Sequence, residues 1–478
     1  MLAETGFGIE HATGGGYWLV IGSHFIHDSV QYSSVVMLLH LDANGNAIDT
    51  AQVVLPPRAM FPGLSNTSFE LSGGGVGIGG SSVDPDGTIR PTLYLFDEQG
   101  NSTLVQEYGA PLEEWIGRQG KQTPDAGFVI CGETSTSGVA LDGFLLKIDS
   151  LGNEQWLKTY GLPNGNEFIS SVDLAPGGGY YLGGAQSPYG NNYDQWILRI
   201  DSVGDVVWQD IYGGPFQDGW FASITTAADS NVLVATGWAQ NNFGSSRLGL
   251  AKVDSAADLL WSKMYDAPAQ MASLLSVKEI EPGGDLIATG GSYRPEFIYI
   301  QGVLLRTTDE GDSLWMRYYH YYDSLWMEGE GLLHDVLPTA DGGFIATGAA
   351  YGTGNPYDPP AYGQDTWVVK VDSMGCLEPG CHLITGLQSQ ATNLRGALAV
   401  APNPASDVVR LTWELPDGLV GSAQLSVVSA QGQLVRTVPI ALADKICSLD
   451  VSSYAAGLYN LHLVVDGQWV SGVKVVIE

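Results

Sequence analysis

The sequence predicts an all-β chain: a seven-bladed β-propeller of four-stranded antiparallel blades, followed by a small Ig-like β-sandwich. Three observations carry this. The 478 residues hold 63 Gly and only 15% charged residues, a composition far richer in Gly than the roughly 7% background and unlike helix-rich chains. Runs of Val, Ile, Tyr, Trp and Thr lie between Gly, Asn, Asp and Pro clusters, as in short strands joined by turns. Two markers also recur in step with a period near 50 residues, the mark of a propeller repeat.

The first marker is the Gly that closes an apolar strand, at 22, 80, 132, 184, 237, 290 and 348. The second is the Asp expected to end the following strand, at 42, 97, 149, 201, 254, 309 and 372. In the fourth copy the strands read Phe168–Leu174, Tyr180–Gly183, Trp196–Asp201 and Val206–Tyr212. The Asp-x-x-Gly turns (Asp42/Gly45, Asp97/Gly100, Asp149/Gly152, Asp201/Gly204, Asp372/Gly375) suit a side chain that caps a tight turn and a Gly at positive φ. Trp156, Trp208 and Trp261 follow the marker Asp by seven residues, and Tyr108, Tyr160, Tyr212 and Tyr265 by eleven. Aromatics at fixed offsets suit the wedge between neighbouring blades. The seventh copy lacks the Trp…Tyr strand, so the propeller is expected over residues 1–386, a linker over 387–398 and the sandwich over 399–478.

Strand direction divides the propeller into two rims. The connections of one rim are short and repetitive (APGGG, DSVG). Those of the other are long and different: SHFIHDSVQYSS, AQSPYGNNYD, WAQNNFGSSR, GSYRPEFIYIQ, AAYGTGNPYDPPAYGQD and YHYYDSLWMEGEG. Varied loops on a regular scaffold are where function concentrates. Their Tyr, Trp, Asn and Asp are the types that stack on a sugar or clasp a peptide. Tyr189, Tyr193, Trp220, Trp238, Phe243, Tyr293, Tyr351 and Tyr357 are the candidate binding residues for an extracellular glycan or protein.

With 52 acidic against 20 basic residues the net charge is −32. This argues against nucleic acid, whose affinity comes from Lys and Arg, and against anionic membranes. No apolar run approaches the roughly 18 residues of a membrane-spanning helix. Neither a metal nor a cofactor is expected. Asp84-Pro-Asp86-Gly87 lacks the ligand spacing of a Ca²⁺ loop, His24-Phe-Ile-His27-Asp28 lacks a third ligand, and no P-loop or nucleophile elbow is present. Of the four Cys, Cys376 and Cys381 frame Cys-Leu-Glu-Pro-Gly-Cys and are expected to form a small disulfide in an oxidising compartment. Cys131 and Cys447 read as buried thiols.

Asp341-Gly-Gly-Phe, Asp365-Thr-Trp-Val-Val-Lys-Val-Asp-Ser-Met-Gly and Asp194-Gln-Trp-Ile-Leu-Arg-Ile-Asp-Ser-Val-Gly resemble the Gly-rich propeller repeats of exported Bacteroidota proteins. Copies one, two and five lack the Asp-x-Trp. After the linker come Pro402-Asn403-Pro404-Ala405, Gln431-Gly432-Gln433-Leu434-Val435, Asp450-Val451-Ser452, Gly457-Leu458-Tyr459 and Lys474-Val475-Val476. This set resembles the type A C-terminal sorting domain of the type IX secretion system, with Pro402, Asn403, Pro404, Gly432, Gly457, Tyr459 and Lys474 as its signal residues. The resemblance implies secreted or outer-membrane cell-surface localisation, and partners in the secretion machinery and its sortase-like peptidase. The N-terminus MLAETGFGIEH lacks the basic and apolar segments of a leader, so export would require a leader already removed or a longer gene product. The function expected is non-enzymatic binding. The alternatives are a carbohydrate-active or quinone-dependent enzyme on the same scaffold, or a purely structural envelope component. A deep axial pocket with converging carboxylates would favour the enzyme, and a broad aromatic surface the binder.

Overall fold

In a computed structural model, residues 3–27, 31–53, 58–109, 114–135, 141–162, 165–187, 193–213, 221–239, 246–269, 271–280, 284–293, 300–320, 329–352, 364–377, 397–415, 421–430, 433–465 and 468–478 are described. No α-helix occurs among them. The chain forms two compact bodies, residues 1–338 with 345–369, and residues 339–344 with 370–478. Nearly all of the expected linker, 387–398, lies outside the described residues.

The first body is a succession of antiparallel sheets, an arrangement consistent with a propeller. Strands β1 (Ala3–His11), β2 (Tyr17–His27), β3 (Gln31–Leu41) and β4 (Ala47–Val53) pair in order. The next sheet has its innermost strand split into β5 (Ala59–Phe61) and β6 (Ser68–Glu70), both paired to β7 (Val76–Val83), followed by β8 (Ile89–Phe96) and β9 (Ser102–Glu107). Four regular sheets follow. They are β10 to β13 (Trp115–Gln122, Phe128–Thr134, Asp142–Ile148, Glu154–Tyr160), β14 to β17 (Asn166–Leu174, Tyr180–Ser187, Asp194–Ile200, Val206–Tyr212), β18 to β21 (Ser223–Thr226, Val232–Ala239, Ser246–Val253, Leu259–Ala269) and β22 to β25 (Met271–Glu279, Leu286–Tyr293, Ile300–Thr307, Ser313–Tyr319). Finally β26 (Gly329–Pro338), β27 (Phe344–Gly352) and β28 (Gln364–Val371) join β1 by parallel pairing, seen among the described residues at Ala3 and Gln364.

The marker Gly has a steric cause at Gly80, Gly132, Gly184, Gly290 and Gly348, each of which faces a carbonyl of its own sheet's first strand. In β1, β10, β14 and β22 the register shifts by one residue at Gly6/Gly8, Gly117/Gln119, Ile169/Ser171 and Leu274/Ser276. Such a bulge pushes a carbonyl toward the second strand. A Cβ on Gly132 would lie 1.8 Å from the Ile116 oxygen, and one on Gly184 1.9 Å from that of Phe168.

The Asp-x-x-Gly turns form as expected. The Asp201 carboxylate accepts from the amides of Val203 and Asp205 at 3.0 and 2.9 Å, and Gly204 takes φ 86°. Hydrogen bonds from the residue four positions on are foremost in holding the carboxyls of Asp42, Asp97, Asp149 and Asp201 below the usual range. The sixth marker needs correction. Thr308, not Asp309, occupies the capping position, its backbone bonded to Asp312 and Gly311 and its Oγ1 accepting from the Asp312 amide.

The aromatic offsets also have a cause. Tyr108, Tyr160, Tyr212 and Tyr265 donate their hydroxyls to the carbonyls of Gly152, Gly204, Ala257 and Gly311 in the next sheet, at 2.6 to 3.0 Å. Trp156 and Trp261 cover Gly204 and Gly311. Four of the fourth strands are thus bolted to the neighbouring sheet's last turn.

The deepest connection runs through the innermost strands. Asp335 of β26, 0% exposed, accepts from the Ile9 amide of β1 at 3.1 Å and the Ser276 hydroxyl of β22 at 2.8 Å. Thr225 of β18 donates to the Val277 carbonyl at 2.7 Å, and the Ile224 amide to Ser171 of β14 at 3.1 Å. Gln119 of β10 accepts from the Val172 amide at 2.7 Å and donates to the Asn66 carbonyl at 2.6 Å. Ser68 of β6 then donates to Glu10 of β1 at 3.0 Å. The circuit closes on itself. Ile9, Tyr17, Leu19, Ile21, Leu337 and Ile345 pack in one cluster around the closure, and the His334 ring lies tilted at 50° against Phe7, with ring centroids 5.2 Å apart.

In the second body, β29 (Leu398–Ala401), β30 (Val408–Trp413) and β33 (Ile446–Asp450) form one sheet. Strands β32 (Leu434–Ile440), β31 (Ala423–Ser429), β34 (Gly457–Val465) and β35 (Gln468–Ile477) form another. Alternation along β30 buries Val409, Leu411 and Trp413 in a core shared with Leu425, Val427, Leu461 and Leu463. Cys376 is disulfide-bonded and Cys131 and Cys447 are free thiols, Cys131 buried and Cys447 half-buried. The expected partner Cys381 lies outside the described residues.

Tyr160→Phe should lower unfolding stability by about 1 kcal/mol through one lost hydrogen bond. Gly184→Ala should cost more, roughly 1–3 kcal/mol, because the bulge carbonyl occupies the Cβ position. Denaturant titration of both variants against the parent protein measures the order.

Candidate functional site

Aligned on the repeat, the innermost strands present one residue each, close to where the short turns begin: Glu10, Phe69, Lys121, Asp173, Thr225, Lys278 and Leu337. All but Asp173 line a funnel of about 1090 Å³, whose mouth includes Thr13, Ser72, Gly73, Gly74 and Thr123. The funnel therefore opens among the short turns, not on the long-loop rim. Midway along the same strands the interior narrows to a void of about 20 Å³ between Leu64, Ser65, Ser170, Phe221, Ser223, Leu274 and Leu275. There Ser65 lies 2.9 Å from His334 Nδ1, and burial lowers that imidazole to about 4.

The funnel floor carries opposed charges. Lys278 lies 3.2 Å from Asp335, and Lys121 lies 3.8 Å from Asp173. Burial works against the Lys278 charge, yet Asp335 and Glu10 together raise its pKa above the ordinary value. Asp335 and Asp173 are heavily committed. Asp335 also accepts from the Val336 amide, and Asp173 accepts from the amides of Leu174 and Thr226 at 2.9 and 2.7 Å. Glu10 differs: its carboxylate accepts from Ser68, and burial pushes its pKa above the usual carboxylate range, outweighing Lys278. No group of three or more His, Cys, Asp or Glu among the described residues could hold a metal.

The residues expected to bind are placed differently. Tyr189, Trp220, Phe243 and Tyr357 lie outside the described residues, and Tyr351 falls in β27, its side chain also outside them. Tyr193 is half-buried with its ring 5.5 Å from Phe168. Tyr293 is half-buried at the end of β23. Trp238 is not a loop residue: it lies in β19, 6% exposed, packed over Gly249 in the core. Its position after an apolar run predicts the start of a loop, but the strand continues to Ala239. Of the three described side chains, Tyr193 precedes β16, Trp238 lies in β19 and Tyr293 in β23, in three different sheets. The funnel residues were missed because attention to loop variety passes over strands. Their spacing of 59, 52, 52, 52, 53 and 59 residues, taken as successive differences along the chain, follows the repeat.

The sorting-signal residues have structural work to do in the second body. Asn403 acts as a clamp: its amide donates to the Lys474 carbonyl at 3.0 Å and its oxygen accepts from the Val476 amide at 2.9 Å. Pro402 and Pro404 flank it, and Ala405 continues the pairing to β35. Gly457 opens β34, and Tyr459 packs near Tyr454 while donating to the Ala455 carbonyl at 2.8 Å. Gly432 lies outside the described residues.

Residues 399–478 match the family described as the secretion system C-terminal sorting domain. No curated protein matches the chain. Among solved structures, prolyl oligopeptidase B from Galerina marginata is 11% identical with a TM-score of 0.39, covering 73% of this chain and 46% of that one. The extracellular domain of a one-component system from B. thetaiotaomicron is 12% identical with a TM-score of 0.26, covering 99% and 68%. Drosophila Plexin A is 9% identical with a TM-score of 0.35, covering 65% and 78%. The chain spans about half (46%) of the length of the first structures it matches. The sorting domain marks the protein for secretion or the cell surface and for handling by the type IX machinery. No helix among the described residues is long and apolar enough to cross a membrane.

Unfolded chains protonate His334 below its ordinary 6.5, whereas the folded chain does so only near 4. Stability from this group is therefore complete above pH 6.5 and declines as pH falls toward 4, by on the order of 3 kcal/mol. His334→Gln should flatten that part of the stability–pH profile, measured by denaturant unfolding at pH 7 and 4.5.

Proposed function

We propose that this is an exported seven-bladed β-propeller, residues 1–386, that binds a glycan or protein ligand without transforming it. In this reading 387–398 is a linker and 399–478 an Ig-like sorting sandwich. A Bacteroidota cell exports the chain, a sortase-like peptidase removes the sandwich, and Cys376 pairs with Cys381. The closed hydrogen-bond circuit through the innermost strands supports seven sectors around one axis.

The observation that carries the binding reading is the contrast between rims. The connections from first to second and from third to fourth strands keep one hydrogen-bond pattern from unit to unit, as at Ala175/Gly179 and Asp201/Asp205. Sequence variety is left to the opposite rim, where Tyr189, Tyr193, Trp220, Phe243, Tyr293, Tyr351 and Tyr357 are the candidate contacts. Trp238 drops out because it is core.

The axial funnel gives the enzyme reading one specific foothold, Glu10 with its raised pKa. Two-carboxylate hydrolysis needs a second available acid across the scissile bond. Asp173 and Asp335 are spent on backbone amides and lysines, which weighs against that chemistry at the funnel.

Full-length protein on a glycan array and in pull-downs from the producing cell's surroundings should show saturable binding that Trp220→Ala or Tyr293→Ala weakens about tenfold or more. Empty arrays and pull-downs would sink the binding reading, and turnover of a bound glycan would replace it with the enzyme. Deleting residues 399–478 should leave the protein inside the cell.

A further inference from the structure

We propose that the funnel among the short turns is a second binding site, one that takes an organic cation through an ammonium group on an apolar stem. It lies on the opposite rim from the loops of the preceding proposal and stands or falls independently of them.

The charge balance points to the sign. Lys121 and Lys278 are matched by Asp173 and Asp335, at 3.8 and 3.2 Å. Glu10 shares Lys278 with Asp335, so the floor carries three carboxylates against two ammonium groups, and Glu70, Glu98 and Glu279 add further acid to the lining. A concave site with walls of one sign concentrates counter-ions, and the net charge of −32 reinforces the field. Glu10 sits where burial disfavours its charge, so a cation placed beside it recovers interaction that water cannot supply there.

The walls point to the class. Phe69, Leu71, Leu174 and Leu337 line the same space as the glutamates. An inorganic cation gains nothing from apolar walls, and no metal-ligating group exists among the described residues. An alkylammonium matches both features, its methylenes against the apolar side chains and its head toward Glu10, with Thr225 and Thr226 as further polar contacts. Such a group comes either from a free polyamine or from a lysine side chain of a peptide. The pocket chemistry is common to both.

The test is isothermal titration of full-length protein with spermidine and, separately, with N-acetyl-trilysine amide and its ε-acetylated counterpart. One saturable site is expected for at least one of the two cations, with none for the acetylated peptide. Glu10→Gln, which retains the capacity to accept from Ser68, should weaken it about tenfold or more. Asp49→Asn, an exposed acid on β4, should leave it unchanged. Gly73→Trp provides an independent check: no atom lies within 4 Å of a Cβ there, so an indole can cover the mouth without a clash and should block entry. Spermidine alone binding identifies a polyamine site, and the peptide alone identifies a protein ligand. Binding by neither would overturn the proposal. So would equal loss in the Glu10 and Asp49 variants, which diffuse attraction to an acidic surface would give, or undiminished binding in both Glu10→Gln and Gly73→Trp.

Discussion

Asp335 holds the first body together at the point where its ends meet. Its carboxylate has no exposed surface, yet it receives the Ile9 amide, the Ser276 hydroxyl, the Val336 amide and the Lys278 ammonium. A buried charge with fewer partners would be strongly destabilising. The arrangement is therefore possible only when β1, β22 and β26 stand side by side, which joins residues 326 positions apart. Among the described residues, β1 and β28 pair at Ala3 and Gln364, and the Asp335 contacts add a second connection deeper in the strands. Side chains inside the strands thus take part in the closure.

The same principle runs through the other units with neutral groups. Gln119, Ser171 and Ser276 are almost fully buried and each reaches a neighbouring strand's backbone or side chain. The split of the second innermost strand at Pro62-Gly63 fits this scheme. It frees the Asn66 carbonyl for Gln119 and brings Ser65 to His334. Polar side chains fix the innermost layer, and aromatic bolts from Tyr108, Tyr160, Tyr212 and Tyr265 fix the outer one. The funnel opens among the short turns at the ends of the inner strands.

Much of this architecture was legible because backbone sterics leave strong marks. Gly132 and Gly184 recur because a bulged carbonyl excludes any side chain, and the turn Asp recurs because one carboxylate satisfies two amides. Thr308 shows the limit of that legibility: a hydroxyl can do the capping, so the nearby Asp309 attracted the assignment. Trp238 shows another, because a core Trp at the end of a strand has the same sequence neighbourhood as one at the start of a loop. The circuit itself was hidden. A Ser, Gln or Asp in an alternating strand looks solvent-facing unless the strand is surrounded on both sides, which is a property of the closed arrangement rather than of the segment. In the sorting domain the motif residues were readable as a set, but only the fold reveals that Asn403 imitates a strand by bonding both sides of Val475.

Hydrogen exchange on the full chain carrying Asp335→Asn tests closure most directly. The amide keeps the shape but turns an acceptor toward a donor, beside Lys278 and the Ile9 amide. If Asp335 closes the circuit, amides in β1 and β26 should exchange about tenfold faster or more, while β30 to β35 keep their protection. Unchanged protection in β1 and β26, with the substitution otherwise silent, would contradict it.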